Sequence, residues 1–81
     1  MNSRNPIIER APVNSSCISS IGYSADHEVL DVEFRSGLVY RYFAVPPDAF
    51  ASLLAASSVG THFNRAIKNR FDYALLIEKK E

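Results

Sequence analysis

Leu30-Asp31-Val32-Glu33-Phe34-Arg35-Ser36-Gly37-Leu38-Val39-Tyr40-Arg41-Tyr42 is the stretch that decides the fold. Leu30, Val32 and Phe34 alternate with Asp31 and Glu33, the period of a strand with one apolar and one acidic face. Arg35-Ser36-Gly37 interrupts that pattern as a turn. Leu38 to Val45 then reads as the next strand, and Pro46-Pro47 stops it because proline lacks the N–H that a ladder needs. The turn sets the register. If Ser36-Gly37 is a two-residue loop, Phe34 lies with Val39, and both tyrosines join Asp31 and Glu33 on the open face. If Arg35-Ser36-Gly37 is a three-residue loop with Gly37 left-handed, Phe34 pairs with Leu38, Val32 faces Tyr40 and Leu30 faces Tyr42. Asp31 then faces Arg41 as a favourable cross-strand pair. The three-residue loop is preferred because it puts the glycine where a G1 bulge wants positive φ.

The register matters for function. Tyrosines on the open face would be a stacking platform for bases. Tyrosines on the core side are anchors whose hydroxyls need partners. Between these lies a third arrangement, with rings on the helix side at the sheet's margin and hydroxyls exposed in a groove.

Upstream, residues 1–12 carry Pro6 and Pro12 and read as an extended or frayed arm. Cys17 to Tyr23 is a strand candidate. Ile18 and Ile21 are three apart, so a bulge near Ser20 or Gly22 is needed to keep both on one face. Residues 24–28 form the hairpin loop. Downstream, Pro46-Pro47-Asp48 opens a helix, since proline suits the first turn and Asp48 favours the positive dipole end. Phe50, Leu53 and Leu54 form its apolar stripe. Ser58 caps a second helix, which should end near Arg70, with Phe63, Ala66 and Ile67 on its apolar stripe. Tyr73 to Ile77 is apolar, an edge strand or a packed tail. These readings give an α+β fold, a three-stranded antiparallel meander with two C-terminal helices packed on one face. The domain spans residues 13–77, an extra edge strand from the tail is an open alternative, and residues 78–81 form a solvated tail. Leu30, Val32, Phe34, Phe50, Leu53, Leu54, Phe63 and Ile67 are expected to form one core.

Eighty-one residues supply one core, and 47% hydrophobic with 22% charged residues is ordinary for a globular chain. Nine basic and nine acidic residues leave no formal net charge, so any grip on nucleic acid has to come from a local patch. No apolar run approaches the ~18 residues of a membrane span. The N-terminus lacks the apolar core of a signal peptide. One Cys and two His are too few for a Cys/His zinc site. The expectation is a cytoplasmic protein with no metal, no cofactor and no membrane contact.

Chemistry-bearing sets are thin. Cys17 with His62 and Asn64 would mimic a thiol hydrolase, but the flanking signatures are absent, and a lone Cys at a strand start reads as a small buried hydrophobe. No catalytic residue is expected. Arg65, Lys68 and Arg70 lie within two helical turns and form the one local basic group. A charged outer helix face is more often simply solvated than a recognition surface.

Val13-Asn14-Ser15-Ser16, Ile21-Gly22-Tyr23, Leu30-x-Val32-x-Phe34-x-x-Gly37, Tyr40-x-Tyr42, Val45-Pro46 and Ala56-x-Ser58-x-Gly60-x-x-Phe63-Asn64-x-x-Ile67 occur in this order. The set resembles the KTSC domain family, found at the C-terminus of some lysyl-tRNA synthetases and as short bacterial proteins. The resemblance covers about residues 13–71. It implies a non-enzymatic accessory module that binds RNA, with tRNA the natural guess. The contact candidates are Tyr40, Arg41, Tyr42, His62, Asn64, Arg65, Lys68 and Arg70. Val59 stands where the family commonly carries a basic residue, and His62 where it commonly carries Tyr. The rival expectation is a protein-interaction module using Ala74–Ile77 or an open sheet edge for strand addition.

Overall fold

The computed structural model describes residues 6–77. Five strands and two helices follow one another as β1 (Ala11–Pro12), β2 (Ile18–Ser24), β3 (Val29–Phe34), β4 (Val39–Tyr42), α1 (Pro47–Ala55), α2 (Val59–Ala66) and β5 (Tyr73–Ile77). The class is α+β. The sheet has five strands rather than the three of the meander, in the order β1-β2-β3-β4-β5, every pair antiparallel; β5 takes the edge-strand alternative for Tyr73 to Ile77, and β1 is additional. The undercount has two causes. β1 is too short to show a period, and β5 is apolar on both faces, so alternation does not mark it.

The turn takes the three-residue form. Gly37 N–H donates to the Phe34 carbonyl at 2.9 Å, Phe34 N–H donates to the Leu38 carbonyl at 2.9 Å, and Gly37 has φ 99°. The register follows: Leu30 opposite Tyr42, Asp31 opposite Arg41, Val32 opposite Tyr40. The bulge in β2 falls between Ile18 and Ser20, next to the first of its two expected places, and it returns both Ile18 and Ile21 to the helix side.

On that side Ile18, Ile21, Leu30, Val32, Tyr42, Val45, Leu53, Phe63 and Ile67 form one buried cluster, with Phe34, Tyr40 and Phe50 packed against it. Leu54 is the exception to the expected core and is 53% exposed. Leu53 occupies the one buried position of α1, and its neighbour, about 100° further round a 3.6-residue turn, looks away from the sheet. Pro46 and Pro47 start α1 as expected, and the Ser58 hydroxyl accepts from Thr61 N–H at the start of α2. α2 ends at Ala66, four residues before the expected stop at Arg70, because residues 67–70 turn to feed β5.

The opposite face is not open. The arm at residues 6–10 runs across it before β1 pairs with β2. The contact is so close that a Cβ on Gly22 would stand 2.5 Å from the Glu9 carbonyl oxygen and 2.8 Å from Ile8 Cγ2. Residues 1–5 of the expected arm and the tail at 78–81 lie outside the described residues. Among the described residues, no helix is long and apolar enough to cross a membrane.

Candidate nucleic-acid interface

Because β4 enters the sheet in the three-residue register, Tyr40 and Tyr42 project to the helix side and Arg41 to the arm side. The two halves of the Tyr-Arg-Tyr motif therefore have separate fates. Arg41 is buried. Its Nε and Nη2 donate to Asp31 Oδ1 and Oδ2 at 2.7 and 2.9 Å, and Nη2 also donates to the Pro6 carbonyl at 2.8 Å. The side chains of Arg41 and Asp31 are only 5% and 1% exposed. The hydrogen bonds that Arg41 donates to Asp31 raise the Arg41 pKa despite the opposing cost of burial. As a nucleic-acid contact Arg41 is a correction: the guanidinium is consumed by a carboxylate and a backbone carbonyl beneath the arm, on the face away from the other candidates.

Tyr42 takes the core-side anchor place, 4% exposed within the buried cluster, and Tyr40 is half-buried against that cluster, with β5 lying outside both as the edge strand. β5 pairs with β4 and sets Tyr73 opposite Tyr42. The Tyr73 ring lies 5.5 Å from both the Tyr40 and the Tyr42 rings. Behind them, Phe63 of α2 meets Tyr42 edge-on at 5.4 Å and Phe34 at 5.6 Å, and Phe34 meets Tyr40 at 5.9 Å. These edge-to-face contacts suit the ring quadrupoles and fix each ring by its neighbour. Burial, with smaller contributions from the adjacent Tyr73 and Tyr40 hydroxyls that disfavour a second negative charge, pushes the Tyr42 hydroxyl up to about 12. The group is a neutral phenol at physiological pH.

Between this aromatic margin and α2 lies a cleft of about 280 Å³. Phe34, Tyr40, Tyr42, Phe63 and Tyr73 line its apolar part, and Ser36, Asn64, Lys68 and Asn69 its polar part. Asn64 comes from the last turn of α2 and Lys68 from the turn that follows it. The cleft thus gathers Tyr40, Tyr42, Asn64 and Lys68 from the expected set. Arg65 and Arg70 are exposed and His62 is half-buried, all outside the cleft lining.

Tyr73 and Asn69 are among the lining residues that were not anticipated. Their positions depend on how β5 pairs, and the connection from Ile67 to Asp72 carries no turn signal that fixes it. An aromatic residue at the start of an apolar run was the one available hint.

A second, polar pocket shares Asn64 with the cleft. Asn14, Ser15, Ser16 and Cys17 form one wall, and Ser57 to Thr61 form the other. Cys17 is exposed, contrary to the buried-hydrophobe reading, because it precedes β2 and the Ser15 hydroxyl accepts both its N–H and that of Ile18. Cys17 and Asn64 line this pocket and His62 does not, so the thiol-hydrolase set is not assembled. Among the described residues, no group of three or more His, Cys, Asp or Glu is placed to hold a metal ion.

Comparison with known proteins closes the argument. The KTSC domain model matches residues 14–71. An uncharacterised protein of Stutzerimonas stutzeri is 46% identical over 61 residues, covering 75% of this chain and 86% of that protein. The lysine–tRNA ligase of Nostoc punctiforme is 43% identical over 61 residues, 75% of this chain but only 11% of the ligase. The crystal structure of a KTSC domain protein from Yersinia pestis superposes with a TM-score of 0.83 at 37% identity, covering 86% of this chain and 99% of that one. With motifs, register and fold in agreement, the chain belongs to the KTSC domain family.

Proposed function

We propose that this protein is a small RNA-binding module that uses the α2–β4–β5 margin. The observation that carries the reading is the cleft itself, where aromatic rings meet Asn64 of α2 and Lys68 of the turn after it on one surface. Sequence-tolerant RNA binding combines these two elements, rings for stacking and cations for the backbone. Arg65 and Arg70 are exposed and lie within three residues of Lys68 in the sequence, so they add cations to this region, and His62 adds a ring that gains charge on acidification. The lysine–tRNA ligase relative supports tRNA as the RNA class.

The net charge of zero limits the electrostatic contribution. Two or three phosphate contacts on single-stranded RNA give a slope of log K against log salt of about −1.4 to −2.1. The test is titration of labelled tRNA and of a single-stranded oligomer against wild type and Arg65→Ala/Lys68→Ala at several salt concentrations. The double variant is expected to keep its fold and to lose most of the slope. An unchanged slope and affinity would remove this region as the site.

The second reading, a protein-interaction module, is favoured by β5. Its Tyr73, Leu75 and Leu76 are exposed and its described residues carry no charge, so it lacks the usual guards against strand addition. That reading predicts no RNA binding by wild type even at low salt, where weak electrostatic binding is strongest.

A further inference from the structure

We infer that the α2–β4–β5 cleft holds one unpaired nucleotide, its base stacked on Tyr73 and its edge met by the amides of Asn64 and Asn69. The inference rests on the RNA-binding reading above and narrows it to a substrate class.

Size comes first. A cleft of about 280 Å³ lies just below the ~300–1,000 Å³ typical of ligand sites, the scale of a single nucleotide rather than a base pair. A base still paired in a duplex has its faces covered by its neighbours and cannot reach rings set inside a cleft.

The walls add chemistry. Phe34, Tyr42 and Phe63 form a rigid floor held by edge-to-face contacts. Tyr73 is different: it stands on the edge strand and is 58% exposed, so much of its ring has no protein cover. A planar heterocycle laid on it buries that surface and keeps the polar rim wet. Asn64 and Asn69 are both exposed beside it, and each amide offers a donor and an acceptor. That pairing matches the mixed donor–acceptor edge of a nucleobase. Lys68 is the one charged residue in the lining, which suits a ligand whose base is neutral and whose phosphate is anionic.

The protein contains no Trp and four Tyr, which makes the site easy to observe. Tyr40, Tyr42 and Tyr73 line the cleft, whereas Tyr23 stacks on Phe50 at 4.5 Å away from it. Tyrosine-ring NMR signals therefore locate the ligand, and anisotropy of a labelled oligomer measures affinity. The experiment compares single-stranded RNA with its matching duplex, on wild type, Tyr73→Ala, Tyr73→Leu, Tyr73→Phe and Leu75→Ala. Single strands are expected to bind at least ~10-fold tighter than duplex and to shift Tyr40, Tyr42 and Tyr73 but not Tyr23, because only the unpaired base can stack. Tyr73→Ala and Tyr73→Leu should weaken single-strand binding by about 5- to 150-fold, the range for losing one base–aromatic stack. Tyr73→Leu keeps an apolar residue in β5 and so separates stacking from folding. Tyr73→Phe and Leu75→Ala should bind like wild type. RNA binding that ignores the Tyr73 changes, or that treats duplex and single strand alike, overturns the nucleotide cleft and leaves the RNA reading standing. Absence of any RNA binding by wild type overturns both.

Discussion

The two faces of the sheet are covered by opposite means. The helix side buries hydrocarbon and rings, with Leu53, Phe63 and Ile67 seated on Leu30, Val32 and Tyr42. The arm side buries a bidentate ion pair, Asp31–Arg41, beneath the arm at residues 6–10. Apolar burial is non-directional and tolerant of small shifts. The ion pair is not: each charge is supportable out of water only while its partner and the Pro6 carbonyl are in place. One face therefore supplies most of the driving force, and the other fixes the register, since a one-residue slip of β4 would separate Asp31 from Arg41 and turn the tyrosines out of the cleft.

The sharpest way to break this contrast is to damage each face once and compare. Asp31→Ala should cost about 3–5 kcal/mol, because it strands a buried guanidinium. Leu53→Ala should cost about 2–5 kcal/mol by opening a cavity under α1. Urea titration reads both. The discriminating variant is Asp31→Leu with Arg41→Met, which should lose far less than Asp31→Ala alone; an equal loss would show that the pair stabilises the sheet beyond merely avoiding an orphan charge.

The helix face has its own pH signature. Tyr42 is held near 12 when folded against 10.0 for the free group, so the folded state retains a proton that the unfolded state releases. The contribution is intact below pH 10 and is lost as pH rises from 10 to 12, by roughly 2–3 kcal/mol. Tyr42→Phe should flatten that decline in alkaline urea titrations. A decline of the same depth in Tyr42→Phe would place its origin elsewhere.

A smaller effect probes the arm alone. Gly22→Ala introduces a Cβ where the Glu9 backbone already sits, so the arm has to lift. A cost of about 1–3 kcal/mol is expected, as for other overpacked sites, with amide protection lost around residues 8–12. Full retention of that protection would mean that the arm adjusts without leaving the sheet.

What was legible follows the same division. Leu30, Val32 and Phe34 declared the helix-side face by period, and Gly37 declared the turn, so the β3–β4 register and the inward tyrosines were readable. Asp31 opposite Arg41 was readable too, but its burial was not. Alternating charges on a strand look the same whether water or a backbone arm lies over them, and residues 6–10 have no period to announce a docking role. The cleft was half legible. Tyr40, Tyr42, Asn64 and Lys68 stood out by motif or charge, whereas Tyr73 and Asn69 depend on a long-range strand pairing. Arg41 misled because a basic residue between two tyrosines carries the same signal on either face.

The nearest-neighbour strand order has a consequence for speed. Every strand pairs only with those adjacent in sequence, so β1 to β4 close through short loops one after another, and only the β4–β5 pairing waits for the longer connection that carries both helices. Such local connectivity puts folding in about the millisecond range, fast for a sheet protein. The clasp from Arg41 to Pro6 spans 35 residues and is the natural late event. If it closes after the rate-limiting step, loosening it accelerates unfolding and leaves the refolding rate nearly unchanged, a partition that stopped-flow chevrons of Asp31→Ala resolve directly.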